Sequence, residues 1–251
     1  MKVSIVTVTY NSAATVEDTI KSVVNQDYKN IEYIIIDGLS KDNTLDIVNK
    51  YKDKIALVVS EKDQGIYDAI SKGIKKATGD IVVALNSDDM YASNDVISKV
   101  AELFKNSHAD AVYGDLNYVD RNDTTKIVRK WKSGTYKKGQ FLKGWMPPHP
   151  TFFVKKSVYD QLGNFNIALR SSADYELLLR FLYVNKIKVE YLHDVLVHMR
   201  SGGQSTKSFS NRIKAHKEDY MAWRLNGITP KWYTLMLKPV RKIKQFLFPR
   251  I

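Results

Sequence analysis

The chain has 251 residues, 44% of them hydrophobic and 26% charged, which excludes a disordered or fibrous protein and gives enough length for one large α/β domain. It has no cysteine, which excludes a disulfide framework, a thiolate metal site and a cysteine nucleophile. The net charge of +12 is concentrated at the end: residues 207 to 251 hold 11 Lys and Arg against 2 Asp and Glu, so the tail points to an anionic partner while the rest is nearly balanced.

The opening segment, MKVSIVTVTYNS, meets polar Asn11 and Ser12 too early for the apolar core of a signal peptide. No run approaches the roughly 18 apolar residues of a spanning helix, and a cytoplasmic protein is expected. Residues 3 to 9 (VSIVTVT) and 31 to 37 (IEYIIID) are β-branched runs of strand length, each followed by turn residues and a helical pattern. In the first helix Val16, Ile20, Val23 and Val24 share one face. Ser12 and Thr15 are its candidate N-caps, and Asp18 closes a capping box with Thr15. Helical patterns recur at 42 to 52, 65 to 77 and 93 to 105, with Ile66, Ile70 and Ile74 forming one stripe and Val96, Ile97, Val100 and Phe104 another. Between them lie IALVVS (55 to 60), DIVVAL (80 to 85) and ADAVYG (109 to 114). Apolar strands alternating with helices predict a mostly parallel, Rossmann-like sheet with helices on both faces.

Beyond residue 115 the rhythm changes. LNYVD and TKIVRKW flank Arg121, Asn122 and Asp123 as a hairpin or excursion would, WMPPHP at 145 to 150 forbids regular helix, TFFV resumes a strand, and 173 to 184 reads as helix. No Gly-, Ser- or Pro-rich linker separates the parts, so residues 1 to 114 and 115 to 206 read as halves of one domain, followed by a basic helical tail from 207 to 251.

Ligands of open α/β sheets bind at the carboxyl ends of the strands, and those ends are polar here: Thr9, Tyr10, Asn11; Asp37, Gly38; Ser60, Glu61, Lys62, Asp63; Asn86, Ser87, Asp88, Asp89. The turn TYNSAA has no glycine, which argues against a nicotinamide cofactor, and no P-loop signature is present. Asp88 and Asp89 follow DIVVAL directly, either as a hard-oxygen platform for Mg2+ or Mn2+ or as a helix cap on a solvated turn.

In order and spacing, VSIVTVTYNS, IIIDGLSKDNT, SEKDQGIYDAISKGIKKATGDIVVALNSDDMY, HPTFFVKKSVYDQLGNFN and SSADYELLLRF resemble the family 2 glycosyltransferases over about residues 1 to 205. The resemblance implies a GT-A type fold, a nucleotide-diphosphate sugar donor bound by residues 1 to 114, an acceptor bound by 115 to 206, a divalent metal (Mn2+ or Mg2+), and inversion at the anomeric carbon. It implies that Thr9, Tyr10 and Asn11 contact the nucleotide and that Asp37 holds the base. It further implies that Asn86, Ser87 and Asp88 bind the substrate and that Asp88 and Asp89 meet the ribose and the metal, with Asn86 standing where the family has its first Asp. Tyr67 and Lys72 match a third nucleotide loop, although Tyr67 also reads as a packing aromatic. Asp174 matches the catalytic base, which inverting transfer needs in order to take the proton of the attacking hydroxyl. His198 matches a late metal ligand and Arg200, ahead of SGGQST, a diphosphate-gripping residue; His149 reads as structural.

In the tail Trp232, Met236, Val240, Ile243 and Leu247 recur at helical spacing among basic residues, with Pro239 expected to split or kink the helix. Such a segment is expected on an anionic membrane surface, placing the protein peripherally on the inner face of the cell membrane with no nucleic-acid partner. The expected activity is transfer from a nucleotide sugar, a UDP-sugar first, to a glycan or lipid-linked oligosaccharide in cell-surface polysaccharide synthesis. The alternatives are a nucleotidyltransferase and a catalytically silent glycan- or polyanion-binding protein on the same scaffold.

Overall fold

The computed structural model describes residues 1–202 and 209–247. The parallel core is formed by β1 (Val3–Thr9), β2 (Ile31–Asp37), β3 (Leu57–Ser60) and β4 (Ile81–Asn86), in the order β3-β2-β1-β4. The sheet continues through β8 (Phe153–Lys155), β6 (Ala111–Val119), β9 (Val189–Arg200) and β5 (Asp89–Tyr91), and β7 (Ile127–Trp131) forms the expected hairpin with β6. Antiparallel pairs enter at β8, β5 and β7, while β6 and β9 run parallel.

Strand alternation divides the apolar residues between two cores. Val6, Val8, Ile34, Ile36, Val82 and Ala84 pack on one face, with α3 (Ile66–Lys76), α5 (Lys156–Leu162) and α6 (Ala173–Leu178). Val3, Ile5, Ile35, Val83 and Leu85 pack on the other, with α1 (Val16–Val24), α2 (Thr44–Asn49) and α4 (Val96–Asn106). Because β1, β2 and β4 are buried on both faces, their sequences are largely apolar rather than alternating, while β3 lies exposed at the edge. Gly73 lets α3 sit directly on β1: a Cβ there would lie 2.2 Å from Val6 Cγ1.

Several expectations are corrected. Thr15 is the N-cap of α1 but its side chain makes no cap bond, and Asp18 pairs with Arg200 instead of closing a capping box. The segment 173 to 184 is α6 followed by a π-helical turn over Leu179–Val184. Strand β6 runs past residue 114 to Val119, and β9 is a 12-residue strand with no counterpart in the sequence reading. The tail forms α7 (Phe209–Leu225) and α8 (Thr234–Leu247), and α8 runs through Pro239. Proline forfeits one backbone bond, which the packing of this helix offsets. Thr234 and Leu235 are buried, and the backbone at Lys238 comes so close to Gly144 that a Cβ on that glycine would meet it at 2.4 Å. The side chains of Lys242, Ile243, Lys244, Phe246 and Leu247, all of Phe248, and residues 203 to 206 of SGGQST lie outside the described residues.

Candidate active site

Strand β1 lies between β2 and β4, so the chain switches direction across the sheet there and leaves a crevice at the carboxyl ends of these strands. The loops that follow are tied together around it. Asn11, at φ 48°, donates its N–H to Ser40 Oγ (2.9 Å) and accepts from the Lys41 N–H (2.8 Å). Ser12 Oγ lies 2.8 Å from Ser87 Oγ, joining the ends of β1 and β4. Tyr10, which follows β1, is 60% exposed.

Asp37 is fully buried and saturated. Its Oδ1 accepts from Thr9 Oγ1 (2.9 Å) and Ser40 Oγ (2.5 Å), and its Oδ2 from the Ser40 N–H (3.0 Å) and Ser60 Oγ (2.7 Å). Burial works to raise this carboxyl, but the hydrogen bonds outweigh it and hold it below its ordinary value. Asp63, in the loop after β3, occupies the space that a side chain on Gly38 would fill: a Cβ on Gly38 would lie 2.3 Å from Asp63 Oδ2 and 3.5 Å from the Tyr10 ring. Lys72, expected at the substrate, anchors this loop by donating to Lys62 O (2.6 Å) and pairing with Glu61 (3.0 Å) and Asp68 (3.5 Å).

At the end of β4, Asn86 Nδ2 donates to Asp89 Oδ2 (3.0 Å), while Asp89 Oδ1 is buried without a hydrogen-bond partner. Burial and then the neighbouring Asp88 charge push the Asp89 carboxyl well up. Asp88 is partly exposed. In the β5–β9 register His198 lies opposite Met90 and Met199 opposite Asp89, so on this ladder the side chains of His198 and Asp89 face opposite sides of the sheet. No group of three or more His, Asp or Glu that could hold a metal occurs among the described residues. Arg200 is 4% exposed; it donates to Asp88 O (3.0 Å), pairs with Asp18, and lines a shallow recess with Thr15, Arg121 and Asn122.

Asp174 opens α6 and is reached from the other half of the sheet. Tyr67, in the first turn of α3, donates to Asp174 Oδ1 (3.1 Å), as does the Tyr175 N–H (2.8 Å). Among the described residues no donor reaches Oδ2, which stays free to accept a proton. The Tyr67 ring stacks on Phe165 with centroids 5.5 Å apart, and His149 packs edge-on against the same ring at 5.2 Å. Burial pushes the His149 imidazole down, against the pull of Asp174. Tyr67 is thus both a packing aromatic and a polar contact to the candidate base. Glu176 points away from this cluster into a buried pair with Arg180 (2.9 Å).

The sequence names Ser60 and Asp63 only among its polar strand ends and gives Ser40 no role. Their polar side chains at strand ends were the available signal, but only the fold brings them to one place.

The family model described as "Glycosyl transferase family 2" matches residues 4–163. A PGL/p-HBAD biosynthesis glycosyltransferase of Mycobacterium bovis is 27% identical over 219 residues, covering 84% of this chain and 83% of the relative. An uncharacterized glycosyltransferase of Mycobacterium tuberculosis is 31% identical over 180 residues, 71% of this chain and 68% of the relative. Among solved structures, S. aureus TarS 1-349 in complex with UDP-GlcNAc superposes with a TM-score of 0.71 at 20% identity, over 100% of this chain and 74% of that one. The mannosyltransferase PcManGT from Pyrobaculum calidifontis, in complex with GDP-Man and Mn2+, gives 0.66 at 19% identity, over 98% of this chain and 69% of that one. These likenesses identify the architecture as a GT-A fold.

Proposed function

The chain belongs to glycosyl transferase family 2 and is a glycosyltransferase; from that premise we propose that it moves a sugar, with inversion, from a nucleoside-diphosphate sugar to a glycan or lipid-linked oligosaccharide of the cell surface. The observation that carries the reading is the hydrogen bond from Tyr67 to Asp174. It brings a carboxylate of the acceptor half to the helix that follows the nucleotide-end loop of β3, and among the described residues no donor occupies Oδ2. In a single displacement the acceptor oxygen attacks the anomeric carbon, the bond from that carbon to the diphosphate breaks, and Asp174 takes the acceptor's proton. One carboxylate suffices, since the diphosphate leaves as an anion and needs no acid.

The oxygen-rich end of β4 fits a divalent cation, because Asp89 Oδ1 is buried and unpartnered beside a second carboxylate. Asp88 and Asp89 would hold Mn2+ or Mg2+, which supplies positive charge to the departing diphosphate. His198 stays the proposed late ligand beside Asp88, and Arg200 donates to the Asp88 backbone carbonyl. A panel of UDP-, GDP- and dTDP-sugars, assayed for metal-dependent hydrolysis, tests the donor class. Asp174→Asn should keep donor binding while turnover falls by roughly 10² or more. Transfer at the wild-type rate by that variant would place the base elsewhere.

The membrane reading has its own support. On α7 Ile213, Tyr220, Met221 and Leu225 are exposed at helical spacing, and Trp232, in the turn before α8, and Met236 and Val240 on α8 are exposed four residues apart, with Trp232 83% exposed. Both acids of α7 are turned to the protein: Glu218 accepts from the N–H groups of Ser171 (2.6 Å) and Ser172 (3.0 Å), and buried Asp219 pairs with Lys238 (2.7 Å). Lys238 is therefore not among the lipid-facing cations. Lys214, Lys217, Arg224, Lys231 and Arg241 are exposed and remain to meet an anionic surface on the inner face of the cell membrane, at about 1 kcal/mol each near the headgroups. Replacing Trp232, Met236 and Val240 together by Ser, a gentler change than deleting α8 with its buried Leu235, should release the protein from anionic vesicles. Unchanged sedimentation would end the membrane reading.

A further inference from the structure

The nucleotide end of the sheet carries two aspartates at the level of the base, and the structure gives them different capacities. Asp37 has donors on both oxygens, four in all, matching the lone pairs of a carboxylate, and it has no exposed surface. It has nothing left with which to accept a bond from a base. Asp63 is partly exposed, and only Oδ1 is engaged, by the Gly65 N–H at 2.8 Å. Among the described residues no donor reaches Oδ2, which sits in the notch left by the absent side chain of Gly38, beside the open ring of Tyr10.

The loop that presents Asp63 is held at both ends. Lys72 reaches back from α3 to Lys62 O and Glu61, and Asp68 Oδ2 accepts from the Gln64 N–H (3.0 Å). Gly65, at φ 121°, makes a turn that side chains rarely permit. A fixed acceptor beside an exposed aromatic face is the chemistry that recognises a flat ring bearing an N–H on its edge.

We propose that Asp63 Oδ2 accepts the N3–H of a uracil or thymine stacked on Tyr10, and that Asp37 is the post that braces the surrounding loops. The inference rests on the nucleotide-sugar reading above and names the residue that selects the base. Cytosine carries no hydrogen on N3, so a carboxylate rejects it. Guanine offers two adjacent donors that suit a carboxylate with both oxygens free, whereas Asp63 has one.

Calorimetric binding of UDP, CDP and GDP in the presence of Mn2+ tests this. The intact protein should prefer UDP to both. Asp63→Asn turns an acceptor into a group that can also donate to cytosine N3, so the preference for UDP over CDP should fall at least tenfold. Gly38→Ala, which adds only a methyl at a site where it must displace the Asp63 carboxylate, should lower UDP affinity while both aspartates remain. If Asp63→Asn keeps the wild-type preference, or weakens UDP and CDP in equal proportion, Asp63 does not read the base. A preference of the intact protein for GDP also overturns the assignment. Should the intact protein bind none of the three, the donor reading fails as well, which separates the two failures.

Discussion

Arg180 should be the costliest single polar side chain to remove from the acceptor half. Its guanidinium uses every N–H it has: Nε and Nη2 meet the two oxygens of Glu176 at 2.9 and 3.1 Å, Nη2 also reaches Asn164 O at 2.8 Å, and Nη1 bonds Gly163 O (3.1 Å) and Leu162 O. Glu176 is 3% exposed, and among the described residues its only other side-chain donor is Asn226 Nδ2 at 3.0 Å. Arg180→Met therefore leaves a buried carboxylate with a single amide donor. The freed carbonyls of Leu162, Gly163 and Asn164 are at least partly exposed and regain water, so the loss lies mainly in the ion pair. Breaking one partner of a buried pair costs about 3–5 kcal/mol, a large part of the roughly 5–15 kcal/mol of a whole domain. Urea unfolding followed by fluorescence should show that loss as a lower midpoint at unchanged slope. The double variant Arg180→Met with Glu176→Gln removes the stranded charge and should recover much of it. A single variant within about 1 kcal/mol of wild type, or a double variant no better than the single, would refute the argument.

Four further outcomes follow from the geometry. Asp88→Ala or Asp89→Ala should weaken Mn2+-dependent UDP binding at least tenfold, about 1.4 kcal/mol by calorimetry, and unchanged affinity in both removes them as ligands. Tyr67→Phe keeps the ring on Phe165 but loses the bond to Asp174, so turnover should fall roughly tenfold or more at constant donor affinity, one hydrogen bond to a charged group being worth about 1.5–3 kcal/mol. Burial raises the Glu32 carboxyl, yet bonds from Ser4, Thr78 and Lys2 overcome this and bring it from 4.5 to about 2. Because the folded value lies below the unfolded one, this stability is present above pH 4.5 and is lost as pH falls toward about 2; discounted for solvent screening it amounts to roughly 1–2 kcal/mol, and Glu32→Gln should flatten that part of the stability profile. Gly73→Ala drives a Cβ into Val6, so α3 must move off β1, and donor affinity and turnover should fall together, unlike the split expected for Asp174→Asn.

What the sequence made legible was whatever depends on near neighbours. The strand and helix periods of the first 106 residues, the 116 to 131 hairpin and the polar strand ends all came from local pattern, since burying a strand on both faces leaves an apolar run wherever it occurs. The 12 residues of β9 escaped because His193, Asp194 and His198 interrupt its alternation. The capping box failed for a different reason: Asp18 is claimed by Arg200, 182 residues away in the chain. His198 illustrates a third limit. Its residue type suits a metal ligand, but only its pairing with Met90 rather than Asp89 decides which side of the sheet it faces. The tail's helical stripe was visible, whereas the inward turn of Lys238 depends on Asp219 of another helix.

The same limit separates Asp37 from Asp63 and explains how α3 comes to govern the site. An acid at a strand end advertises a binding role, but whether its oxygens are free depends on what two other strands and its own loop bring to it, and Thr9, Ser60 and Ser40 consume those of Asp37. The free acid is presented by the loop that leads into α3, the first turn of that helix grips Asp174, and its glycine is pressed against β1. One rigid element thus spans the proposed base reader, the proposed proton acceptor and the central strand. Both proposed groups sit at the N-terminal end of α3, so the distance from nucleobase to acceptor hydroxyl depends on the turn from Asp63 to Gly65 as well as on where α3 is seated. The packing of α3 on β1 seats that end of the helix against the central strand, which is why Gly73, pressed on Val6, bears on both groups at once.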